Sequence, residues 1–398
     1  EGRVDENVFA YTNKAGEEHS LVIYHNRYAE TRGWLHTSAA YVIKDPAGEK
    51  TLVQKTIADG LDIPHRSDMY VLFRDAVHNL EYLRNCAEIH ERGFYTELHA
   101  YEVHVFVNFR LVQDNEWGHY GQLAAHLGGR GVPSIEEALR ELFLEPLHAP
   151  LRMLVSAPAF RWLAEARYAE PEDQEHVLDQ VEAKMLDLLN ATKTSSQGPG
   201  NPKTIAREVR EQLTSILALS SLMEKPADSE TAVAGPAAAE TQAEIRLRPL
   251  RTVLGAATAI AEGLESDDPA VLGMLLGWLF LHPLGQIMDA ENAATITAVW
   301  MDEWMLGKVF AAALQEAGLA ADEAQRAATT VKMLLNYRAW LAAAETETGD
   351  SAYELLRAIL QEQPLQAYLG VNRFEGVIWF NKEALEQLLW WMLTLTTV

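Results

Sequence analysis

The fold of the first third of this chain is decided by residues 7–44, NVFAYTNKAGEEHSLVIYHNRYAETRGWLHTSAAYVIK. Within this segment Leu21, Ile23 and His25 stand at every second position, and a period of two places side chains on one face of a β-strand. Polar turns such as Lys14-Ala-Gly separate the apolar runs. The segment therefore predicts half-buried antiparallel strands joined by tight turns.

The alternating pattern continues to about residue 115. In residues 101–109, YEVHVFVNF, the side chains of Glu102, His104 and Phe106 are predicted on one face of a strand and the valines between them on the other. The further strand candidates are short and bounded by turn residues: 8–12, 35–43, 51–56, 70–74, 80–83 and 94–98. Because no helix-length run separates these strands, the pattern predicts an antiparallel β-sandwich, or a small barrel, over residues 1–114.

Beyond residue 115 the apolar residues recur at helical spacing. The sequence predicts a helical extension over residues 115–223, a flexible linker over 224–243 and an α-helical bundle over 244–398. The linker segment is poor in large apolar side chains and therefore has little to bury. The predicted helices are 120–127, 134–144, 172–191, 203–223, 247–264, 269–281, 285–317, 321–345, 352–361 and 382–395. The predicted fold class is thus multi-domain, with β structure first and helices after it.

Composition restricts the partners that this chain can bind. With 57 acidic and 33 basic side chains the formal net charge is −24, and such a field repels phosphate backbones and anionic lipid headgroups. Nucleic acid and membrane are therefore not expected partners, whereas neutral sugars are compatible because aromatic faces and hydrogen bonds bind them. The most apolar run, 271–281, is too short to span a bilayer, and the single Cys86 excludes an internal disulfide. These features favour a cytoplasmic location.

Several words of the sequence resemble the region that follows the catalytic barrel in α-amylase-family (family 13) glycoside hydrolases. They are NVFAYTN, LVIYHNRYAETRGW, TSAAYVIK, VLFRD, LEYLR, ELHAYEVHVFVNFR and GRGVPSIEEAL, and they cover roughly residues 1–155. These words occur in the order expected of one bacterial subgroup of the family. The phrase RFEGVIWFNKEAL at residues 373–385 resembles part of the helical tail of that subgroup. The resemblance implies a non-catalytic C-terminal portion of an α-glucan-active enzyme.

The resemblance also implies that catalysis lies outside these residues. The family's catalytic acids are recognised through an Asn-His-Asp ending and an Arg-x-Asp core on barrel strands, and the sequence has neither Asn-His-Asp nor a strand-borne Arg-x-Asp. The opening residues EGRVDEN are typical of a cut inside a longer polypeptide. We therefore expect the chain to be inactive alone and to stabilise or complete the parent's catalytic barrel, its expected partner, and to shape the access of α-glucan.

Aromatic and polar side chains around the YHNRYAETRGW loop form the predicted binding surface. They are Asn26, Arg27, Tyr28, Arg32 and Trp34, a mixture of planar donors and aromatic faces that suits either a sugar or a protein interface. Docking on the parent barrel is the favoured interpretation, and a glucan-binding module that uses Tyr28 and Trp34 is the alternative. A third hypothesis is an oligomerisation module whose apolar tail, WFNKEALEQLLWWML, packs on another subunit.

No catalytic residue, cofactor or metal site is predicted. His99 and His104 lie five positions apart on one predicted strand, so their side chains point to opposite faces and cannot share an ion. Cys86 has no neighbouring His or Asp pattern typical of a nucleophile. Trp300 and Trp304 stand four apart on a predicted helix and are expected in the core.

Overall fold

The computed structural model describes residues 4–44, 48–218, 269–337, 361–375 and 377–395. The chain divides into two compact units, residues 1–143 and 144–398. Antiparallel sheets make up the N-terminal part and helices most of the C-terminal part, so the predicted order of β structure before helices is confirmed. The predicted linker at 224–243, the predicted helix at 247–264 and nearly all of that at 352–361 lie outside the described residues.

The N-terminal unit is built from short strands with helices between and after them. The strands are β1 (Val8–Ala15), β2 (Glu18–His25), β3 (Thr31–Leu35), β4 (Tyr41–Lys44), β5 (Lys50–Val53), β6 (Met69–Asp75), β7 (Leu80–Asn85), β8 (Phe94–Leu98) and β9 (Val103–Gln113). The helices are α1 (Ile57–Gly60), α2 (Cys86–Arg92) and α3 (His119–Leu127), and α4 (Ile135–Leu154) begins in this unit.

Five of these strands form one antiparallel sheet in the order β1-β2-β9-β6-β7, while β3–β8 and β4–β5 form two-stranded ribbons. The predicted alternation in β2 is confirmed, because Leu21, Ile23 and His25 are all buried. One face of the sheet buries Ile23 and Phe73 against α1, α2 and the β3–β8 ribbon. The other face buries Leu72 against α3 and the start of α4. Both faces of the sheet are therefore covered where β6 and β7 lie.

A β-bulge in β9 changes which of its side chains share a face. Between two consecutive ladder pairs, β9 carries one residue more than β6. Asn108 takes up the extra residue with a φ of 57°, in the left-handed region that Asn tolerates. As a result Phe106 and Phe109 both pack on the Phe73 ring, each at a centroid distance of 5.2 Å, although strict alternation predicts them on opposite faces.

Two short helices interrupt the strand series, and the sequence pattern did not predict them. Helix α1 begins with a capping box in which the Thr56 hydroxyl accepts from the Asp59 N–H and the Asp59 carboxylate accepts from the Thr56 N–H. The Asn85 side chain caps the start of α2. Gly93 ends α2 with a φ of 87°, and a Cβ there would lie 2.2 Å from the Leu35 carbonyl oxygen. Glycine is therefore required where β8 begins to pair with β3.

In its described residues the C-terminal unit is helical, with one short hairpin. Its described helices are the remainder of α4, α5 (Ala157–Ala166), α6 (Pro171–Ser196), α7 (Pro202–Ala218), α8 (Pro269–Leu281), α9 (Ala293–Glu303), α10 (Leu306–Glu316), α11 (Ala321–Tyr337), α12 (Gln363–Tyr368) and α13 (Lys382–Leu395). The hairpin pairs β10 (Asn372–Phe374) with β11 (Val377–Trp379). The single helix predicted over 285–317 is wrong, because a 3₁₀ turn (Leu284–Ile287), α9 and α10 occupy that range.

Helix α8 is the most apolar element of the helical core. Leu275, Trp278 and Phe280 on different sides of it are all buried, and the helix packs against α5, α7, α10 and α11. The Trp300 ring is buried, as predicted, and stacks on Trp304 at a centroid distance of 4.0 Å. Among the helices that the structure describes, none combines the length and the apolar composition needed to cross a bilayer.

Candidate functional site

A groove of about 860 Å³ opens in the N-terminal unit beside the β3–β8 ribbon, α2 and the C-terminal end of α3. Its volume lies within the usual range of small-molecule binding sites. The lining combines aromatic rings with guanidinium groups, among them Trp34, Phe73, Tyr82, Tyr95, Arg84 and Arg92. Flat apolar faces beside planar hydrogen-bond donors suit a ligand that has both an apolar face and a polar edge.

Trp34 lies at the rim of the groove with its cross-strand neighbour Tyr95. The ring centroids are 5.2 Å apart, with an interplanar angle of 56°. The Arg92 guanidinium carbon lies 5.9 Å from the centroid of the Trp34 ring and makes a cation–π contact. Trp34 keeps 47% and Tyr95 39% of its surface exposed. The pair therefore presents aromatic surface to a ligand.

Cross-strand pairing places two charged side chains beside this aromatic pair, of which Glu97 lines the groove and Arg32 does not. Arg32 lies two residues before Trp34 on β3, so it shares the exposed face of the ribbon and pairs with Glu97 on β8. The Tyr95 hydroxyl donates to a Glu97 carboxylate oxygen at 2.7 Å, and this hydrogen bond raises the pKa of Tyr95. At neutral pH Tyr95 keeps its proton, and the Glu97 carboxylate supplies acceptors at the rim.

A partly buried guanidinium lies deeper in the groove. Arg84 donates from Nη2 to the Gly129 carbonyl oxygen at 2.6 Å and from Nη1 to the Leu83 carbonyl oxygen at 3.1 Å. Its Cζ atom lies 5.7 Å from the centroid of the Tyr82 ring. Burial lowers the pKa of Arg84, but a guanidinium stays charged at neutral pH. Since these two bonds use only part of its five N–H donors, Arg84 has donors left for a ligand.

The structure separates the residues that were predicted to form one surface. Trp34 lines the groove, whereas Arg32 on the same strand does not, and neither do Asn26, Arg27 and Tyr28 in the loop between β2 and β3. Tyr28 is 85% exposed, and its ring lies 6.4 Å from that of Tyr101. The N-terminal unit therefore presents two distinct aromatic surfaces, the groove and the Tyr28–Tyr101 pair.

A second cluster, formed by Asp75, His78, Glu102 and His104, lies at one end of the five-stranded sheet. The Asp75 carboxylate is fully buried, and its Oδ2 atom lies 2.6 Å from Nδ1 of both His78 and His104. The Oε1 atom of Glu102 lies 3.6 Å from Nε2 of each histidine. The two imidazole centroids are 4.9 Å apart. Two carboxylates therefore bracket two histidines, and the ligand atoms of Asp75, His78 and His104 all lie within 4.8 Å of one another, a spacing that can hold a metal ion.

Local turns position the members of this cluster. In the turn between β6 and β7 the Oδ1 atom of Asp75 accepts from the Val77 N–H at 3.0 Å, an Asx turn that directs His78 back toward the carboxylate. Just before β9, the His99 N–H donates to the Oε2 atom of Glu102 at 2.6 Å, which leaves Oε1 to face the histidines. Both carboxylates are thus held by backbone donors.

Hydrogen bonds keep the buried Asp75 carboxyl group of this cluster ionised. Burial by itself would raise the pKa of Asp75, but hydrogen bonds from His104 and His78 outweigh it and the pKa is lowered, so the carboxyl group is ionised. The pKa of the neighbouring Tyr82 is raised by burial and by the charges of Asp75 and Glu102. In the described part of the chain, the ion pairs of both carboxylates are with these two histidines and with no Lys or Arg.

The sequence signal for this cluster was partial. Alternation placed Glu102 and His104 on one face, and the cluster uses that pair. His99, weighed earlier as a partner of His104, is exposed and lies 3.4 Å from Glu30 instead. Asp75 stands 29 positions before His104, and their contact depends on the pairing of β6 with β9. The pattern of apolar residues does not specify which strands pair.

Comparison of the chain with protein-family models, with curated proteins and with solved structures gives no match. The resemblance to the post-barrel region of α-amylase-family enzymes therefore stays a prediction. The groove and the cluster of histidines and carboxylates are the two features of the N-terminal unit that bear on its function.

Proposed function

We propose that the N-terminal unit is a non-catalytic module of an α-glucan-active glycoside hydrolase and that its groove binds the glucan chain. The observation that carries this proposal is the exposed Trp34–Tyr95 pair at the rim of a groove of about 860 Å³. A pyranose ring has a face of C–H groups that packs on aromatic rings, while its hydroxyl groups bond to donors and acceptors such as those of Arg84 and Glu97. A neutral glucan is also indifferent to the net charge of −24.

The proposed architecture of the N-terminal unit is a β-sandwich. The β3–β8 ribbon is taken as the second layer of a β-sandwich over the five-stranded sheet, the arrangement that the resemblance implies behind an amylase barrel. Catalysis is assigned to the parent barrel, and the groove is taken to guide glucan toward it.

Docking on the parent barrel is a second role, favoured by the Tyr28–Tyr101 pair. Both rings are exposed, and neither lines the groove. The two roles therefore use different surfaces, and one substitution on each surface separates them.

Affinity gel electrophoresis with soluble starch tests glucan binding. We expect starch to retard the chain and Trp34→Ala to lose most of the retardation. Loss of an aromatic face of this type weakens an interaction by about 0.5–1.5 kcal/mol beyond the lost area, so affinity should fall roughly tenfold. The matched control is Trp117→Ala, because Trp117 is 70% exposed and does not line the groove.

Three outcomes decide between the roles. Retardation that Trp34→Ala loses and that Trp117→Ala and Tyr28→Ala keep supports a glucan site in the groove. Equal retardation of the chain and of Trp34→Ala places any glucan site elsewhere. No retardation of the unmodified chain refutes glucan binding and leaves docking through Tyr28 as the role to test against the parent barrel.

A further inference from the structure

We propose that His78, Glu102 and His104 form a binding site for a divalent transition metal of the zinc class. The ligand atoms are Nε2 of both histidines and Oε1 of Glu102, and Asp75 positions the two rings from the opposite side. The inference does not depend on the proposed function, because the metal site requires no glucan, although His104 also lines the groove.

Distances identify which side of the rings faces the metal. With zinc bonds of about 2.0–2.1 Å, neighbouring ligands of a tetrahedral site lie about 3.3–3.4 Å apart. The distances of 3.6 Å from Glu102 Oε1 to Nε2 of His78 and of His104 are close to that value. The distances of 2.6 Å from Asp75 Oδ2 to the Nδ1 atoms are too short for ligands of one ion and are those of charge-assisted hydrogen bonds.

Asp75 sets the protonation of both rings. An ionised carboxylate only accepts hydrogen bonds, so His78 and His104 each donate from Nδ1–H, and a neutral ring then carries its lone pair on Nε2. A carboxylate bonded to the far nitrogen is the usual support of a metal-binding histidine. Here one buried carboxylate supports two histidines at once.

The Oε1 atom of Glu102 and an Nε2 lone pair are both acceptors, so a contact between them at 3.6 Å is favourable only with a cation or a proton between the two atoms. The competing state has both rings protonated, with Nε2–H groups donating to Glu102. A distance of 3.6 Å is longer than the N–H···O range of about 2.7–3.2 Å, so the geometry favours an ion over a pair of hydrogen bonds.

The site is open to solvent on one side. The His78 side chain is 39% exposed and that of Glu102 19%, whereas His104 is 12% exposed and Asp75 is buried. An ion can therefore enter past His78, and three protein ligands leave a fourth position for water. Two imidazoles with one carboxylate are a ligand set that zinc and related divalent metals prefer over Ca²⁺ or Mg²⁺.

Metal content of the full chain tests the proposal. The chain is stripped with a chelator, dialysed against Zn²⁺ or Co²⁺ alone and assayed by plasma mass spectrometry, and the visible spectrum of bound Co²⁺ reports the coordination geometry. We expect one ion per chain with a four-coordinate Co²⁺ spectrum, and loss of that ion in His78→Ala and His104→Ala. The matched control is His99→Ala, an exposed histidine outside the cluster, which should retain the ion.

Asp75→Asn tests positioning without removing a ligand. The amide NH₂ donates where the carboxylate accepted, so both rings shift to the Nε2–H tautomer, which has no lone pair for the metal at Nε2. We expect metal affinity to fall about 10- to 100-fold. Long-range proton–nitrogen NMR correlations of the metal-free proteins should show Nδ1–H histidines in the unmodified chain and Nε2–H histidines in Asp75→Asn, a change that a merely structural role would not produce.

Two results overturn the proposal: stripped protein that binds no Zn²⁺ at micromolar concentration, or His78→Ala protein that keeps the stoichiometry and Co²⁺ spectrum of the unmodified chain. His104 stacks on the buried Phe106, so its replacement risks misfolding. His78 lies in an exposed turn, and His78→Ala therefore decides the test if His104→Ala does not fold.

Discussion

Replacement of Asp75 by Ala and by Asn should have different effects on the stability of the N-terminal unit. The buried carboxylate accepts from Nδ1 of His78 and His104 at 2.6 Å, from the Val77 N–H at 3.0 Å and from the Val105 N–H at 3.4 Å. Ala removes the acceptor of all four donors. Asn keeps the shape and exchanges one acceptor for a donor. The pair of variants therefore separates the hydrogen-bond network from the charge.

The loss of stability expected for Asp75→Ala comes from the donors that cannot form a hydrogen bond to water instead. A hydrogen bond to a charged acceptor contributes about 1.5–3 kcal/mol, and a buried donor left without a partner costs about 1–3 kcal/mol. The His78 ring is partly exposed and recovers much of its loss in solvent, and the Val105 contact is long. Counting the Val77 and His104 bonds alone, we expect a loss of about 3 kcal/mol in the free energy of unfolding.

The cost of Asp75→Asn should be much smaller. The amide oxygen can accept from the Val77 N–H, and the NH₂ group can donate to Nδ1 of both rings once they adopt the other tautomer. The Nε2–H groups then lie on the solvent-accessible side of the cluster, where the partly exposed His78 can donate to water and a small movement of the Glu102 side chain can bring its Oε1 atom within hydrogen-bond distance. We expect a loss below about 1 kcal/mol.

Hydrogen exchange measured by mass spectrometry at increasing urea is the appropriate assay. Peptides from β6 and β9 report the opening of the N-terminal unit alone, whereas a global probe averages over both units and is not a two-state measure. The measurement is made on metal-free protein, so that loss of a bound ion does not enter the comparison. Equal losses of stability in the two variants, or a larger loss in Asp75→Asn, would refute the network described here.

Four further predictions concern other properties of the chain. Burial raises the pKa of the Cys86 thiol from 9.0 to about 11, so at about pH 8 a disulfide reagent should modify the native chain about 100-fold more slowly than the unfolded chain. Because folding raises the pKa of the thiol, the buried protonated thiol stabilises the chain below about pH 9, and this stabilisation is lost as the pH rises through 11. Cys86→Ala should remove this pH dependence from the urea midpoints. Gly277→Ala places a Cβ 2.3 Å from the Phe310 ring. In spite of a gain in helix propensity of about 1 kcal/mol, the net loss in the free energy of unfolding should be about 1–3 kcal/mol. An unchanged calorimetric melting temperature would contradict this prediction. The purified chain should leave maltooligosaccharides intact in chromatographic assays, and degradation that one Asp or Glu substitution abolishes would refute a non-catalytic role.

Helices were the easier part to predict, because their apolar period is a local property. The predicted segments 269–281 and 382–395 coincide with α8 and α13, and the predicted 172–191 lies inside α6. The error in 285–317 arises where α9 ends at Glu303 and Met305 takes a φ of 54° before α10. A Met in the left-handed conformation does not change the spacing of the apolar residues, so the helical pattern continues through the break between α9 and α10.

Strands were harder to predict, since their partners decide where they form. The predicted strand 35–43 is divided in the structure, and only its two ends belong to β3 and β4. The segment Thr31–Leu35 contains Gly33, a residue type with low strand propensity. It nevertheless forms β3, because it pairs along its whole length with β8. Pairing with a distant strand thus overrides the local preference.

The candidate site was hardest to predict for the same reason, because each part of it is joined across strands. Trp34 meets Tyr95 through the β3–β8 register, and His104 meets Asp75 through the β6–β9 register. A slip of one residue in either register would move one partner to the other face of its strand. The β6–β9 register also includes the bulge at Asn108, which no alternation pattern encodes. Substitutions at these contacts therefore test the strand pairing and the chemistry together, and a metal ion lost in His78→Ala but kept in His99→Ala would support both.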